Sequence, residues 1–225
     1  RLTRTLQQSI LNYASDPPRT VDGQTRFLTV LTARQMGKSL SSEYVLYPKA
    51  AYQPGHDHVC IADTRDRAEY LHKRVHHLHE RWPTSLRSGT LATRETRQLT
   101  FHPRQGGKMR VLSAEAGTVG VGQSPDSFHA SECAFWADFA GSMFLIWPSL
   151  MNRDHALAIF ECTPWEANGD WHHHCLEAKQ GAGRHSYVFA PFWDGILNER
   201  PWAKGNVLEN EEVSLLNQYG KDGLR

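Results

Sequence analysis

Short apolar runs and longer amphipathic segments alternate along most of the chain. The apolar runs have the length of strands and stand at residues 27–31, 58–63, 126–136, 156–164 and 186–192. Segments with helical character separate or precede them, at residues 2–13, 38–52, 64–82, 141–154 and 169–180. Strands that alternate with helices predict an α/β fold, with a mostly parallel sheet and helices on both faces.

The segment 64–82 shows the helical period most clearly. Its apolar residues recur every three or four positions, at Ala68, Leu71, Val75, Leu78 and Trp82. Thr64 stands just before this pattern and is a natural N-cap for the helix.

The middle third of the chain has a different pattern. Residues 91–103 and 108–115 alternate like strands on either side of the turn Gln105-Gly106-Gly107. Alternation around a glycine-rich turn predicts a β-hairpin, here inserted into the α/β fold.

Length and charge limit the kinds of function. The chain has 225 residues, of which 40% are hydrophobic, so it can bury one substantial core. Its 25 Lys and Arg residues nearly balance 24 Asp and Glu residues, so any nucleic-acid binding depends on a local patch. The hairpin region carries basic residues that fit either such a patch or a solvated face: Arg87, Arg94, Arg97, Arg104, Lys108 and Arg110.

The cysteines and the hydropathy indicate an intracellular setting. Cys60, Cys133, Cys162 and Cys175 lack CxxC spacing, which favours reduced thiols over disulfides or a zinc site. No run approaches the roughly 20 apolar residues that span a bilayer, and no charged-then-apolar leader is present. We expect a soluble protein, and the Arg at position 1 and the polar C-terminal end suggest a piece of a longer chain.

Two groups of histidines resemble metal-binding tracts. His172, His173 and His174 are consecutive, and neighbouring helical residues point about 100° apart, so they cannot face one ion. The histidines at positions 72, 76 and 79 share a helical face but have no carboxylate partner in a matched motif. We expect neither group to bind zinc.

The segment TARQMGKS, residues 32–39, is the first candidate for chemistry. A phosphate-binding loop needs a small residue where the backbone meets the phosphates, a Lys for the β- and γ-phosphates and a hydroxyl for Mg²⁺. Gly37, Lys38 and Ser39 supply these in order, between a predicted strand and a predicted helix. Thr32 replaces the first glycine of the usual pattern, so the triplet alone also fits an ordinary helix start.

Two further polar positions follow apolar strands. Glu132 stands at the end of one strand, where open α/β sheets place catalytic groups, and could orient an attacking water. Its predecessor is Ser131 rather than an acid. Thr163 ends the next apolar strand and could sense the γ-phosphate, although each position alone also fits an ordinary strand end.

In this order, the segments resemble the ATPase domain of the large terminase subunit of tailed bacteriophages, the motor that packages DNA. The resemblance rests on the Arg-Gln-x-Gly-Lys-Ser loop, on VCIADTRDRAEYLHKRV, on Ser-Glu-x-Ala-Phe-Trp and on E-x-T-P followed by YVFAPFWDG. It covers roughly residues 25–196, and the loop that begins with Arg-Gln is itself a mark of the family. The implied fold is a RecA-like (ASCE) P-loop NTPase.

The resemblance implies roles for matching residues. Lys38 would neutralise the β- and γ-phosphates and Ser39 would coordinate Mg²⁺, in a loop completed by Gln35, Met36 and Gly37. Arg34 would contact the γ-phosphate, and Glu132 would polarise the attacking water. Ser131 would contact Mg²⁺ through a water molecule, and Thr163 would couple hydrolysis to movement. The implied ligands are ATP and Mg²⁺.

Two departures from the family pattern stand out. Many relatives have Asp where this chain has Ser131, and a hydroxyl adds no charge, so metal affinity could be lower. Relatives often place an arginine finger before the catalytic strand, where this chain has Val121 and Gln123. Either Arg104 or Arg110 replaces it, or the finger comes from elsewhere.

The resemblance also implies an organisation and partners. Residues 1–24 would form an N-terminal helix and connector, 25–196 the P-loop ATPase domain, and 197–225 a helical linker toward a nuclease domain outside this chain. The implied partners are double-stranded DNA, the portal protein, the small terminase subunit and further copies in a ring, usually pentameric. The isolated domain would be monomeric, and its setting would be the host cytoplasm, with no membrane.

Two alternatives remain at this stage. A helicase-like ATPase of another kind would require helicase motifs and a second RecA-like domain, which this sequence lacks. A nucleotide-binding module that assembles a ring with little hydrolysis would fit Ser131 and the missing finger, although Glu132 argues against it.

Overall fold

A computed structural model of the chain describes most of the predicted ATPase domain. The described residues are 6, 10, 26–34, 36–83, 91–95, 97–104, 106–115, 117, 119, 124–153, 156–181 and 185–190. Of the predicted helix at 2–13, only Leu6 and Ile10 are described, both helical, and the predicted linker at 197–225 lies outside the described residues.

Eight strands of the described part of the chain form one sheet. They are β1 Arg26–Thr32, β2 Asp57–Ala62, β3 Leu91–Glu95, β4 Gln98–Phe101, β5 Lys108–Ser113, β6 Ser127–Ser131, β7 Leu157–Cys162 and β8 His185–Ala190. Their order is β3-β4-β5-β2-β6-β7-β1-β8. In the part of this order that runs β5-β2-β6-β7-β1-β8, all neighbouring strands are parallel. Only the β3-β4 and β4-β5 pairs are antiparallel. The prediction of a mostly parallel α/β sheet is confirmed.

Among the described residues, four α-helices connect the strands, namely α1 Lys38–Tyr52, α2 Arg65–Arg81, α3 Phe139–Met151 and α4 Gly169–Lys179. The predicted cap of α2 is present, since the Thr64 side chain accepts a hydrogen bond from the backbone N–H of Arg67. Within the described part of the chain, no helix is both long enough and apolar enough to cross a bilayer.

One face of the sheet is apolar and packs against α3 and α4. Phe27, Phe128 and Phe160 project from β1, β6 and β7 into a cluster with Ile146 of α3 and Trp171 of α4. These positions alternate along each strand with residues of the opposite face, as the two-residue period of a strand requires.

The opposite face packs against α1 and α2 and is apolar only at its two ends. Leu28 and Ile159 pack with Leu46 of α1, and Leu71 of α2 packs with Val111 of β5. Between these clusters the buried residues of the strands are mainly polar: His58, Ser127, His129, Ser131 and Glu161. Helices therefore cover both faces, as predicted, but the middle of the α1 face is a polar layer.

The predicted hairpin is present, but its extent differs from the prediction. Residues 91–103 contain two strands, β3 and β4, which pair with each other in antiparallel fashion. Strand β5 pairs with β4 on one side and runs parallel to β2 on the other, so it belongs to the main sheet. The single inserted hairpin is thus corrected to two antiparallel strands, β3 and β4, added to β5 of the main sheet, because Arg97 lies in a second turn between β3 and β4.

The glycines between β4 and β5 are required by close packing against the end of α1. A Cβ on Gly107 would lie 1.8 Å from the backbone oxygen of His56, and one on Gly106 would lie 2.5 Å from that of Ala51. The Gly107 N–H donates to the carbonyl of Ala50. These glycines therefore hold the extension against the core.

Two partly buried histidines share one hydroxyl beneath α4. Thr29 Oγ1 lies 3.1 Å from both His174 Nε2 and His185 Nδ1, so it can donate to one ring and accept from the other. Burial lowers the pKa of His174 to about 4, and burial together with the neighbouring His174 lowers the pKa of His185 to about 3.

We expect the stability of the domain to fall with acidity through these two histidines. Their folded pKa values lie below the value of 6.5 for an unperturbed histidine, so the unfolded chain binds more protons between about pH 6.5 and pH 4. Stability is then complete above pH 6.5 and is lost as the pH decreases. His174→Gln should reduce this loss by ~1 kcal/mol or more in urea unfolding at pH 7 and pH 4.5.

His173→Gln provides the control, because His173 is exposed on the same helix. It should leave the pH dependence of the free energy of unfolding unchanged. Identical pH profiles for the wild type and His174→Gln would contradict the assignment.

Candidate functional site

The candidate loop crosses from β1 to α1 at the carboxyl edge of the sheet. Gly37 has φ 77° and ψ 17°, a left-handed conformation that glycine adopts readily, and Lys38 begins the helix. The first turn of α1 has no acidic residue and no side-chain cap. Its free N–H groups and the helix dipole therefore favour an anion at this end.

Lys38 is the centre of the site. Its side chain is 7% exposed, and Nζ lies 3.0 Å from Glu132 Oε1 and 3.5 Å from Glu161 Oε2. Nζ also donates to Thr163 Oγ1 at 2.7 Å. Burial lowers the pKa of Lys38, but the two carboxylates more than compensate, so the net pKa is raised and the side chain is a cation.

Glu132 occupies an unusual backbone position directly after β6. Its φ of 56° and ψ of 48° are left-handed, and it is the one non-glycine residue with positive φ in the described part of the chain. The neighbouring bonds hold this turn, since Trp136 Nε1 donates to the Ser131 carbonyl and the Phe135 N–H donates to the Glu132 carbonyl. The side chain is 21% exposed, so water reaches a carboxylate that the backbone holds in place.

Glu161 on β7 is a site residue that sequence reasoning missed. It is fully buried, and Oε1 accepts hydrogen bonds from Ser39 Oγ at 2.6 Å and Ser131 Oγ at 2.7 Å. Ser131 and Glu161 are partners in the register of β6 and β7, so their side chains lie side by side. A charged residue in the otherwise apolar run Leu157–Cys162 is the sequence signal that could have identified it.

An ionic chain continues from Glu161 beneath α1. His129 Nε2 lies 3.4 Å from Glu161 Oε1, and His129 Nδ1 donates to Glu43 Oε1 at 2.5 Å. Burial lowers the pKa of His129, but its contacts with Cys60, Glu161 and Glu43 raise it well above the usual value. Burial raises the pKa of Glu43 and of Glu161, and their contacts with His129 outweigh this effect, so both pKa values are lowered. Glu161 and Glu43 are therefore carboxylates, and the His129 ring between them is an imidazolium.

The structure brings most of the predicted site residues together. Lys38, Ser39, Ser131, Glu132 and Thr163 converge at the carboxyl ends of β1, β6 and β7. Their catalytic roles remain predictions.

The other predicted positions differ in placement. Arg34 is exposed in the turn of the loop, and Gln35 lies outside the described residues. The Met36 side chain packs into the core with Leu28 and Val45, so only its backbone can face a phosphate.

The two candidates for a substitute arginine finger, Arg104 and Arg110, differ from each other in their contacts and exposure. Arg110 is bound to Asp57 through both Nε and Nη2, which commits its guanidinium to a partner within the chain. Lys108 Nζ contacts the same carboxylate at 3.4 Å. Arg104 is exposed. Arg110 is therefore not a suitable finger, and Arg104 remains as the candidate of the two.

The site residues fit a magnesium nucleotide. Mg²⁺ prefers oxygen ligands, and the Ser39 hydroxyl lies against a carboxylate. Glu161 Oε2 is buried, and within the described residues it accepts no hydrogen bond. The Lys38 ammonium and the free N–H groups at the start of α1 suit phosphate oxygens.

Solved structures similar to this chain include the large terminase ATPase domain of Thermus phage P74-26. The TM-score is 0.60 at 21% sequence identity, over 83% of this chain and 84% of that one. An arginine-to-alanine mutant of the same domain gives the same TM-score and identity, over 83% of this chain and 85% of that one. No protein-family model and no curated protein sequence matches the chain. The likeness confirms the predicted α/β fold, which this chain shares with that ATPase domain.

We expect Lys38 to stabilise the nucleotide-free protein. Lys38→Met leaves Glu132 and Glu161 without their shared cation, and breaking a buried ion pair from one side costs about 3–5 kcal/mol. The free energy of unfolding in urea without nucleotide should fall by about 3 kcal/mol.

Lys108→Met is the matched control, because Lys108 is 43% exposed in its contact with Asp57. Removal of such a surface pair should change the free energy of unfolding by less than ~1 kcal/mol. Equal losses in the two variants would contradict the central position of Lys38.

Proposed function

We propose that this chain is the ATPase domain of a viral DNA-packaging terminase, and that it hydrolyses ATP with Mg²⁺ to translocate double-stranded DNA into a procapsid. The observation that carries the proposal is the contact between Lys38 Nζ and Glu132 Oε1 at 3.0 Å, in a fold similar to a terminase ATPase domain. A phosphate-binding lysine and a water-activating carboxylate must meet at one point for this reaction.

Lys38 exchanges partners when a nucleotide binds. Without nucleotide its ammonium is neutralised by Glu132 and Glu161. Phosphate oxygens replace these contacts, since a charge-assisted bond to phosphate can substitute for one to a carboxylate. The exchange releases Glu132 from Lys38 when the γ-phosphate arrives.

Glu132 then orients the attacking water and accepts its proton. Its partial exposure admits water, while the left-handed turn aims the carboxylate toward Lys38. General-base assistance of this kind contributes typically 10²–10⁴-fold to a rate. A glutamine at this position keeps the shape but cannot accept the proton.

Thr163 links the two catalytic groups to β7. Its hydroxyl accepts from Lys38 Nζ at 2.7 Å, and its backbone N–H lies 3.5 Å from Glu132 Oε2. Any change in the partners of Lys38 or Glu132 therefore reaches the segment after β7. This supports Thr163 as the coupling residue.

Ser39 would hold Mg²⁺ through its hydroxyl, with Ser131 contacting the ion through water. The ion would neutralise charge on the phosphate oxygens. Both hydroxyls lie within hydrogen-bond distance of Glu161, so all the groups needed at an oxygen-ligand site are adjacent.

The remaining parts of the proposal concern partners. A motor of this type would act as a ring, usually a pentamer, on a portal protein, with DNA selected by a small terminase subunit, in the host cytoplasm. Arg97 and Arg104 are exposed and suit phosphate contacts, whereas Arg110 is paired with Asp57. Stimulation of ATP turnover by double-stranded DNA in a ring-forming preparation would test this part.

A nucleotide-binding module with little hydrolysis is the alternative. Ser131 in place of an acid favours it, as do Val121 and Gln123 in a segment where a finger is expected. The water-accessible Glu132 favours hydrolysis, because a pure binder does not need a carboxylate beside the phosphate lysine.

We predict that Glu132→Gln separates binding from turnover. Steady-state ATP hydrolysis with Mg²⁺ at high protein concentration should fall by about 10²–10⁴-fold, while nucleotide affinity stays within a few-fold. Lys38→Ala should lose both nucleotide binding and ATP hydrolysis, because a cation that contacts the phosphates is removed.

Glu166→Gln is the control, since Glu166 is an exposed glutamate just beyond Thr163. It should hydrolyse ATP at the wild-type rate. Binding without hydrolysis in the wild type, also in preparations that form a ring, would reject catalysis and leave the binding module.

A further inference from the structure

The end of β6 lacks the acidic residue that P-loop NTPases use to hold magnesium. In these enzymes the ion is held by the loop Ser or Thr and by an Asp at the end of the catalytic strand. Here that strand ends with Ser131 followed by Glu132. A neutral hydroxyl cannot balance the charge of a divalent cation, so either the site binds Mg²⁺ weakly or another carboxylate contributes.

Glu161 places a carboxylate beside Ser131 from the adjacent strand. The two residues are register partners on parallel strands, and β7 lies between the catalytic strand β6 and the loop strand β1. The Ser131 hydroxyl donates to Glu161 Oε1 at 2.7 Å. The carboxylate of Glu161 therefore lies beside position 131, where other P-loop NTPases have the acidic residue.

The same carboxylate is also connected to the metal-binding hydroxyl. Ser39 Oγ donates to Glu161 Oε1 at 2.6 Å. Groups of this second layer orient the ligand and commonly change metal affinity by 10–100-fold when they are removed. Ser39 uses its proton in this bond, which leaves the oxygen lone pairs for a cation.

The second oxygen of Glu161 has spare capacity. Oε2 is buried, accepts no hydrogen bond from the described residues, and lies 3.5 Å from Lys38 Nζ. In the proposed reaction Lys38 turns to the phosphates, which leaves this negative oxygen without its cation. A divalent ion at Ser39, or a water bound to it, would compensate the charge.

A buried support keeps the carboxylate in place. Glu161 Oε1 contacts His129 Nε2, and His129 is bound in turn to Glu43 of α1. Because α1 begins with Lys38 and Ser39, this chain of contacts ties the carboxylate to the helix that carries the phosphate loop.

We propose that Glu161 supplies the acidic group of the magnesium site, moved from the end of β6 to the neighbouring strand β7. Ser131 holds this carboxylate through a hydrogen bond instead of providing the charge itself. The inference rests on the proposed function, since it assigns a residue to the metal of the same nucleotide site.

A purely structural Glu161 would behave differently. If its task were only to neutralise Lys38 in the nucleotide-free protein, its loss would change stability and Mg²⁺-free nucleotide binding, but not the Mg²⁺ requirement. The Mg²⁺ dependence of binding therefore separates the two roles.

The experiment measures binding of a fluorescent ADP analogue to the 225-residue chain, first in EDTA and then at increasing Mg²⁺. In Glu161→Gln, which keeps the size of the side chain, we expect the Mg²⁺ concentration for half-maximal enhancement of binding to rise about 10–100-fold. Binding in EDTA should not weaken, because phosphate then competes with one carboxylate fewer for Lys38.

The double variant Ser131→Asp/Glu161→Gln returns the charge to β6. It should restore the Mg²⁺ requirement to within a few-fold of wild type. Glu166→Gln, which removes an exposed carboxylate of the same edge, should leave the requirement unchanged.

An unchanged Mg²⁺ requirement in folded Glu161→Gln would overturn this inference while leaving the proposed ATPase intact. If circular dichroism shows that Glu161→Gln does not fold, the double variant provides the test. A Mg²⁺ requirement of the double variant that is ten-fold above wild type would then overturn the inference as well. A wild type that binds no nucleotide with Mg²⁺ would reject both proposals.

Discussion

The structure around the loop between β1 and α1 depends on one buried cation, the ammonium of Lys38. It lies between the carboxylates of Glu132, just after β6, and Glu161 of β7, and it also contacts the hydroxyl of Thr163. A cation this deeply buried is tolerated only with close partners of opposite charge. The arrangement means that any phosphate entering the loop must compete with these carboxylates. In the proposed function, nucleotide binding and the release of Glu132 from Lys38 are therefore parts of one exchange.

The polar layer under α1 extends this interaction through the core. Glu161, His129 and Glu43 alternate in charge, and His58 lies 3.5 Å from Glu43. Polar groups in the middle of a sheet face would destabilise the fold unless each had a partner. Here they connect the loop helix α1 to the strands that carry Ser131 and Glu161. The position of the loop relative to the strand ends is therefore fixed by directional contacts as well as by apolar packing.

The strand order explains how the site is assembled from distant segments. Strand β7 lies between β1 and β6, so a residue on β7 can reach both the loop after β1 and the end of β6. Glu161 and Thr163, two positions apart at the end of β7, both contact Lys38. The similarity to a terminase ATPase domain at 21% identity shows that the fold is retained at low sequence identity. The assignment of chemistry must then rest on the individual residues.

The sequence by itself determined the elements and the order of the motifs. Apolar runs and amphipathic segments located β1, β2, β7 and the helices α1 to α4, and the loop triplet together with Glu132 and Thr163 indicated most of the candidate site. It did not show that β3 and β4 are separate strands, because alternation continues through the short turn between them.

Tertiary structure alone decided which strands are neighbours, and this is why Glu161 was missed. Strand register is a long-range property, so nothing local shows that Ser131 and Glu161 lie side by side. The sequence of residues Leu157–Cys162 indicates only a buried strand with one charged residue. What that charge does depends on the residues of β6 and α1 that pack against it, and these are brought to it only by folding.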